Sequence, residues 1–389
     1  MWAAVTAGMA LAGCGGSSGT SRVAPTPHPT KGVSPAASAT SSPHVSPPPP
    51  ASPSATPLAP PALPATCRVP VAGSGVGHQS GVNNRFLAGF IDVGTGAEAV
   101  DPSGEMVAGA SGDNRWHSVA TPILYGDTAQ ATYGAVAGRW VPVAPGDLAP
   151  DGLRYAYTEI VNTANGPPTS RIHLVDIGAA ADRVLLDTDR GAYDVLAFTG
   201  EGIYVVHHLP GADASDGLWL LDPGTGSLRQ IRASEQRVSW TWIHGHAAWA
   251  EVPNPADPSP PSFSKGGFDE VMRLDLATGA VATWFYSPGQ AVSIAGFDTQ
   301  EHPLVRVAFS DQSARLYSVA SASAAAQIVP GSGTASDVVS AYTGRYGTWL
   351  STLQSLYLER ADQGMQQITT APGVINVNVR IAGDCPTRP

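Results

Sequence analysis

Residues 218–231 read LWLLDPGTGSLRQI, and residues 271–284 read VMRLDLATGAVATW. Each stretch is an alternating apolar run, a tight turn that contains Asp and Gly, and a second alternating run. An Asp side chain at this place can accept a hydrogen bond from the backbone of its own turn, and Gly supplies a positive φ. Each stretch therefore predicts a β-hairpin, with its turn position at Gly226 or Gly279.

The same pattern recurs along the chain. The further copies are FIDVGTGAEAV (90–100), TYGAVAGRWVPV (132–143), HLVDIGAAADRVLL (173–186), LYSVASASAAAQIV (316–329) and LYLERADQGMQQIT (356–369). Their turn positions are Gly96, Gly138, Ala180, Ala322 and Gly364, and aspartates stand four residues before the turn position at Asp92, Asp176, Asp222 and Asp275. Successive turn positions are 42, 42, 46, 53, 43 and 42 residues apart. This period is typical of the four-stranded blade of a β-propeller.

Further β-runs precede the hairpins and would supply the inner strands of each blade. They are RYAYTEIV (154–161), AYDVLAFTGEGIYVVHH (192–208), VSWTWIHGHAAWAEV (238–252), VSIAGFDTQEHPLVRVAF (292–309) and VVSAYTGRYGTWLS (338–351). No segment after residue 66 has a clear 3.6-residue period, so we expect almost no helix. The sequence predicts an all-β, seven-bladed β-propeller. Six blades would follow if residues 105–145 are irregular, and eight if the 53-residue repeat contains an extra unit.

The two ends of the chain complete one another. VINVNVRI (374–381) is a strand with no hairpin after it, whereas FLAGFIDV and AEAV (86–100) form a hairpin without an innermost strand. We therefore expect one blade to be built from both ends, which removes free sheet edges.

The segment LAPDGLRYAY (148–157) resembles the S-P-D-G-x-x-I-A-Y signature of TolB-like and related WD-repeat-like β-propellers. DPSGEMVA (101–108) is a second copy, with Ser103 in the place of the aspartate. In that family the Pro-Asp-Gly turn precedes the innermost strand of a blade. The resemblance implies a propeller fold over about residues 67–389, and it implies no particular function, because one fold serves many.

The N-terminal stretch MWAAVTAGMALAGC is apolar and too short to span a bilayer. LAGC (11–14) resembles the lipobox of bacterial lipoproteins, which implies a signal peptide over residues 1–13 and a diacylglycerol on Cys14. No Lys or Arg precedes the apolar run, and a start codon placed too far downstream would account for this departure. The alternative is a chance apolar N-terminus. We expect an extracytoplasmic protein anchored to the cell membrane by its lipid.

Residues 14–66 predict a lipidated N-terminus followed by a disordered linker rich in Pro, Ser and Ala. Residues 15–66 contain 14 of the 35 prolines, no aromatic residue and no acid. Such a composition cannot bury enough apolar surface to offset the entropy of ordering. The linker would be an extended tether with a reach on the order of 100 Å.

The three cysteines divide by role. With Cys14 lipidated, Cys67 and Cys385 remain at the two ends of the domain 67–389, and export places them where disulfides form. We expect a Cys67–Cys385 disulfide that closes the ring; the alternative is two unpaired thiols.

Charge limits the classes of partner. The formal net charge is −10, and Lys31 and Lys265 are the only lysines. We therefore expect no nucleic-acid partner, since a basic surface would be required. We expect a monomer whose ligand is a protein, a peptide or a glycan.

A search for reactive groups finds little. His244 and His246 have the same-face spacing of a strand and are weak metal candidates, whereas His207 and His208 would point to opposite faces. No CxxC, HExxH or EF-hand motif occurs, so we predict no metal site and no cofactor. The acids Glu105, Asp113, Asp151, Glu159 and Glu201 form no evident acid–base couple, and no catalytic residue is assigned.

One loop is a candidate for binding. Trp242 lies in an aromatic-rich strand, and the Pro-rich insertion after it contains Pro255, Asp257 and Pro260. Insertions of this kind often carry binding, although aromatic residues packed between blades and a tolerated surface loop are the plainer explanations.

The sequence favours a membrane-anchored extracytoplasmic propeller that acts as a binding or scaffold module. The alternative is a propeller enzyme, a hydrolase or lyase that acts in the central channel, with His207 or His208 and His244 or His246 as its only candidate groups. A purely structural protein of the cell envelope is a third possibility.

Overall fold

The computed structural model describes residues 60–74, 85–109, 113–127, 131–161, 169–188, 191–208, 215–233, 238–253, 268–309, 313–328, 338–352, 355–360, 363–370 and 379–386. The signal peptide expected over 1–13, Cys14 and the tether as far as residue 59 lie outside the described residues.

Apart from single 3₁₀ turns at Pro102–Gly104 and Pro145–Asp147, the regular elements of the described residues are all β-strands, as predicted. In chain order the strands are β1 (Arg68–Ser74), β2 (Arg85–Asp92), β3 (Glu98–Val100), β4 (Met106–Ala108), β5 (Trp116–Ser118), β6 (Tyr125–Gly126), β7 (Thr132–Gly134), β8 (Arg139–Val141), β9 (Arg154–Val161), β10 (Thr169–Asp176), β11 (Ala181–Thr188), β12 (Ala192–Thr199), β13 (Gly202–His208) and β14 (Ser215–Leu221). They continue with β15 (Leu228–Arg232), β16 (Trp242–His244), β17 (Ala247–Val252), β18 (Glu270–Asp275), β19 (Val281–Tyr286), β20 (Ala291–Phe297), β21 (Pro303–Ala308), β22 (Ala314–Ser321), β23 (Ala324–Ile328), β24 (Val338–Gly344), β25 (Gly347–Thr352), β26 (Ser355–Arg360), β27 (Gly364–Thr370) and β28 (Arg380–Ile381). Over the same residues, no helix has both the length and the apolar character needed to cross a membrane.

Four consecutive four-stranded antiparallel sheets form the second half of the fold: β12–β15, β16–β19, β20–β23 and β24–β27. In each, the strands pair in chain order. The first strands of neighbouring sheets also meet, because β12 contacts β16, β20 contacts β24 and β24 contacts β28. Consecutive meanders whose first strands adjoin are the construction of a β-propeller.

The hairpin turns have the predicted chemistry. Asp92, Asp176, Asp222 and Asp275 each accept a hydrogen bond through Oδ1 from the backbone N–H three residues on, at 2.9, 2.8, 2.7 and 2.9 Å. Glycines follow with a positive φ at Gly226 and Gly279, 72° and 71°. Ala180 takes the same left-handed conformation without being glycine, with φ of 49°.

The sheet at the chain ends is built from both termini, in the order β28–β1–β2, with β3 also paired to β2. Val71 of β1 pairs with Ile381 of β28, so the C-terminal strand adds beside the N-terminal one. Cys67 and Cys385, both buried, are joined in a disulfide with a Cα–Cα distance of 5.5 Å. The sheet is therefore built from both ends, as expected, but its strands differ from the prediction: β1 supplies the strand that the hairpin 86–100 was expected to lack, and β28 adds only two residues beside β1.

Residues 105–145 depart from the regular blade that the sequence predicted. Strands β4, β5 and β6 extend the sheet of the chain ends, where Phe86 pairs with Met106, whereas β7 and β8 form a two-stranded sheet of their own. Aromatic packing holds this hairpin in place: the rings of Tyr133 and Trp140 lie 5.1 and 5.4 Å from that of Phe90. The segment therefore packs on the sheet of the chain ends through aromatic rings and forms no separate four-stranded sheet among the described residues.

The Pro-Asp-Gly turn is also placed differently from the expectation. Leu148 forms an isolated bridge with Tyr155 on one side of β9, and β10 pairs with β9 on the other. The turn at 150–152 therefore leads into the second strand of its sheet, and the innermost strand is reduced to a single bridge beside the 3₁₀ turn.

The core lies between neighbouring sheets. Alternation along the strands of the sheets β20–β23 and β24–β27 places one apolar set face to face: Leu304, Leu316, Ile328, Val338, Leu350 and Tyr357, all buried. A second cluster between β12–β15 and β16–β19 includes Tyr204, Leu218, Trp240 and Leu274. Burial between sheets is the main stabilising contribution, at about 25 cal/mol per Å² of apolar surface.

Candidate functional site

A cleft of about 410 Å³ opens between the sheets β20–β23 and β24–β27. Its lining is polar at the turn end of the sheets and apolar further in. The lining residues are Asp298, Thr299, Gln300, Ser318, Ala326, Gln327, Ile328, Thr348, Glu359 and Met365. The volume falls within the range of small-ligand sites.

Strand register explains why polar groups collect in this cleft. Thr348, Glu359 and Met365 are direct neighbours across β25, β26 and β27. Two residues further along, Leu350 and Tyr357 occupy the same face and belong to the buried apolar cluster between the sheets. Because residues two apart share a face, Glu359 continues this apolar surface with a carboxyl group at its end.

Asp298 is fixed by the turn between β20 and β21. Its Oδ1 accepts hydrogen bonds from the backbone N–H groups of Gln300 and His302, at 2.8 and 2.9 Å. Its Oδ2 accepts the hydroxyl of Ser318 at 2.6 Å and lies 3.2 Å from Nδ1 of His302. Both oxygens are therefore used in holding the turn.

Glu359 stands in contrast to Asp298. Its Oε2 is buried and accepts no hydrogen bond from the described residues. Burial raises the pKa of Glu359 above its ordinary value, and the charge of Asp298 raises it further. A buried carboxyl oxygen without a donor is costly, and among the described lining residues Glu359 is the one with such a buried, unpaired side-chain atom.

Aromatic rings pack around Phe297, the residue that precedes Asp298. The ring of Phe297, next to Asp298, stacks on the imidazole of His244 with centroids 4.0 Å apart. Trp242 meets the same ring edge-on at 6.0 Å, and 36% of Trp242 is exposed. The hydroxyl of Thr343 donates to the carbonyl of Phe297, which ties this turn to the sheet of Glu359. Phe297 itself is buried among apolar side chains between the sheets β16–β19 and β20–β23. Trp242 and the cleft therefore lie on opposite faces of the sheet β20–β23, on either side of the turn at Asp298.

None of the histidines predicted from the sequence, all within the described residues, lines the cleft, and only His244 packs next to its turn. His244 packs on Phe297, and burial lowers its pKa. His246 is exposed in the turn after β16, where its carbonyl accepts the N–H of Leu276. The described residues include no group of three His, Cys, Asp or Glu side chains arranged to hold a metal ion. Pro255, Asp257 and Pro260 lie outside the described residues.

His207 and His208 point to opposite faces of β13, as the sequence predicted. His207 is buried and stacks on Tyr193 with ring centroids 4.4 Å apart. His208 places Nε2 3.0 Å from a carboxylate oxygen of Asp194 on β12.

A second group of carboxyls lies near this pair. Burial, with a smaller contribution from the charge of Asp194, raises the pKa of Asp127 to about 6. Asp147 is buried, and its pKa is also raised, first by burial and then by Asp127. Groups that exchange protons near neutral pH suit acid–base chemistry, and structural clusters show the same property.

The acids named from the sequence have structural partners. Asp113 pairs with Arg115 at 3.0 Å, Asp151 with Arg154 at 2.6 Å, and Glu159 with His173 at 3.2 Å. Glu201 accepts the hydroxyl of Tyr204 at 2.6 Å. These contacts give each carboxylate a role in holding strands and turns.

Asp298 and Glu359 were missed by sequence reasoning. A signal existed for Asp298: it accepts the N–H of the residue two positions on, as Asp151 does in the Pro-Asp-Gly turn. FDTQEH (297–302) is thus a hidden copy of that turn, without Pro and Gly. Glu359 carries no such signal, because only the packing of two sheets brings it to the cleft.

Comparison with known proteins gives fold likeness at low identity. No protein-family model matches the chain, and no curated protein matches it. Among solved structures, a prolyl endopeptidase is 13% identical over 80% of this chain, with a TM-score of 0.47, and the chain spans about half (51%) of its length. The β-propeller domain of the Trilobed protease from Pyrococcus furiosus is 12% identical, covering 76% of this chain and 82% of that domain, with a TM-score of 0.42. TolB from Acinetobacter baumannii is 12% identical, covering 64% of this chain and 62% of TolB, with a TM-score of 0.29. At these scores the architecture rests on the sheets described above.

Proposed function

We propose that this chain is a lipid-anchored, extracytoplasmic β-propeller that binds a ligand at the turn ends of its sheets. One observation carries the proposal: a carboxyl-lined cleft opens beside the turn at Asp298, and the exposed ring of Trp242 packs on Phe297, the residue before that turn. An exposed aromatic ring beside a polar cleft is a common basis for recognition of peptides and sugars.

The anchor and tether are part of the same proposal. The lipobox-like LAGC supports a lipid on Cys14, and the Pro-rich segment after it supports a spacer that holds the domain away from the membrane. The anchor is tested by expressing the chain in a bacterium that processes lipoproteins and supplying a labelled fatty acid. We expect label in the wild type and none in Cys14→Ser; equal labelling of both would contradict the anchor.

We propose seven repeat units for the propeller. Four regular sheets, the three-stranded sheet β9–β11, the sheet of the chain ends and the irregular segment 105–145 make up this number. An experimental density map is the test. Seven radial units support the proposal, and six, with 105–145 outside the ring, would replace it.

The binding role is tested with peptide and glycan arrays probed with the full chain. We expect a set of ligands whose signal falls about tenfold in Trp242→Ala, since truncating a central aromatic anchor costs more than 1 kcal/mol. Tyr286→Ala is the matched control, because Tyr286 is a similarly exposed aromatic residue (41%) on β19, the strand of the same sheet that is farthest from Trp242 on β16. Equal losses in both variants would contradict a site at Trp242.

A propeller hydrolase or lyase is the second candidate. It is favoured by the raised pKa of Asp127 beside Asp147 and by the His208–Asp194 pair. A screen of peptide and polysaccharide substrates tests it. Turnover that is lost in both Asp127→Asn and His208→Gln would support the enzyme, and turnover that survives both would reject this site.

A further inference from the structure

The lining of the cleft includes Glu359, one of whose carboxyl oxygens is buried without a hydrogen-bond partner among the described residues. Oε2 of Glu359 is buried and has no hydrogen-bond donor among the described residues. Leaving a buried polar atom unpaired costs on the order of 1–3 kcal/mol, so native structures seldom retain one without a purpose. Because Glu359 lines the cleft, a donor that enters the cleft and turns this carboxyl group towards itself would remove the cost.

The charge of the lining selects the kind of donor. Within the described part of the chain, the lining contains the carboxyl groups of Asp298 and Glu359 and neither lysine nor arginine. Both carboxyl oxygens of Asp298 already accept hydrogen bonds from the turn and from Ser318. Its negative charge therefore acts on the cleft, but neither oxygen is free to accept a further hydrogen bond there. A cationic donor gains from both carboxylates, whereas a neutral hydroxyl gains only a hydrogen bond.

The shape of the lining indicates the rest of the ligand. Ile328, Ala326 and Met365 provide apolar walls beside the carboxyls. Lysine and arginine side chains combine a charged head with an aliphatic stem, and this combination matches such a lining. The net charge of −10 also attracts cationic ligands at long range.

We propose that the cleft between the sheets β20–β23 and β24–β27 binds the ammonium or guanidinium group of a lysine or arginine side chain on a peptide ligand. Glu359 is the direct acceptor, and Asp298 adds charge while it holds the turn. This proposal rests on the proposed binding function and names the ligand class for the cleft.

The test compares N-acetyl-L-arginine amide with N-acetyl-L-citrulline amide, which has the same shape and no charge. Titration calorimetry on the full chain should show that citrulline binds about tenfold or more weakly than arginine. Glu359→Gln should weaken arginine binding by a similar factor. Glu201→Gln is the matched control and should leave binding unchanged, because Glu201 lies in another sheet and does not line the cleft.

Met365→Arg provides a second test that does not remove the carboxyl. Met365 is the cross-strand neighbour of Glu359, so an arginine there should occupy the acceptor and abolish binding of the arginine probe. Equal affinity for arginine and citrulline, or unchanged affinity in Glu359→Gln and Met365→Arg, would overturn the cationic ligand class. If the cationic ligand class is overturned, array ligands that depend on Trp242 would still support the proposed binding function. If no array ligand depends on Trp242, that result counts against the proposed binding function and not against binding of the arginine probe in the cleft.

Discussion

At the scale of single residues, one turn geometry serves two purposes. Asp151 and Asp298 both accept the N–H of the residue two positions on. Asp151 also pairs with Arg154, and its role ends with the turn. Asp298 instead lines a cleft together with Glu359, so the same turn geometry adds negative charge to the lining of that cleft. The functional difference comes from the neighbours of each aspartate and not from the turn.

Two hairpin glycines permit a paired test of backbone strain. Gly226 and Gly279 have φ of 72° and 71°. An alanine held in this left-handed backbone conformation costs about 1–2 kcal/mol at either position. A Cβ at Gly279 meets nothing within 4 Å, whereas a Cβ at Gly226 lies 2.6 Å from the carbonyl oxygen of Leu185. We expect Gly226→Ala to reduce the free energy of unfolding by about 1–3 kcal/mol more than Gly279→Ala. Urea unfolding measures both, and equal losses would contradict the close approach of Leu185.

Asp127 should make stability depend on pH. Its pKa in the folded protein is about 6, against an ordinary value of 3.8, because burial disfavours the charged form. For a raised pKa, the contribution to stability is complete below the unfolded value and is lost as pH rises through the folded value. Between pH 5 and pH 7 the wild type should lose about 1 kcal/mol relative to Asp127→Asn, whose side chain does not titrate. Thermal unfolding of both proteins between pH 5 and pH 7 measures the difference. If the stability of the wild type and of Asp127→Asn changes equally with pH, the pKa of Asp127 is not near 6.

At the scale of elements, regularity follows the length of the paired strands. Strands β12 and β13 pair over seven positions, whereas β7 and β8 pair over three. The irregular segment also exposes apolar side chains, including Ile123 and Val136, which are 49% and 69% exposed. Short ladders and incomplete burial leave this part of the fold less well supported than its neighbours.

Rates of amide hydrogen exchange should therefore differ between the irregular segment and the regular sheets. We expect backbone amides of β4–β8 to exchange faster than those of β12–β15 under native conditions, because local opening breaks fewer hydrogen bonds and exposes less apolar surface. Exchange measured by mass spectrometry on peptides from the two regions tests this. Similar protection in both would show that the segment 105–145 is supported as firmly as a four-stranded sheet.

Sequence pattern predicted elements best where the cause is local. The Asp-to-backbone bond of each hairpin needs only four or five consecutive residues, so turns such as that at Gly279 were predictable. The irregular segment was not, because the turn at Gly138 has the correct spacing while Tyr133, Trp140 and Phe90 pack in a way that no period shows. The cleft was missed for a similar reason: it exists only where two separate sheets meet.

At the scale of the whole molecule, the ends of the chain are held together in two ways. Pairing of β1 with β28 supplies a short ladder, with Val71 opposite Ile381. The disulfide adds a covalent link across a sequence separation of 318 residues. Both lie in one buried cluster with Trp349 of the preceding sheet, so opening this sheet would also expose the core beside it.

Loss of the disulfide should therefore lower the stability of the entire domain. In a Cys14→Ser background, the double variant Cys67→Ala, Cys385→Ala should be less stable by at most about 5 kcal/mol, since a loop of this length gains much chain entropy when the link is absent. For a domain of this size that loss corresponds to a fall in Tm of several degrees. Calorimetry with and without a reductant measures it: the reductant should lower the Tm of the parent and leave that of the double variant unchanged. Thiol labelling of the denatured, unreduced parent should find no free cysteine; two labelled thiols, with equal Tm values for parent and variant, would contradict the covalent closure.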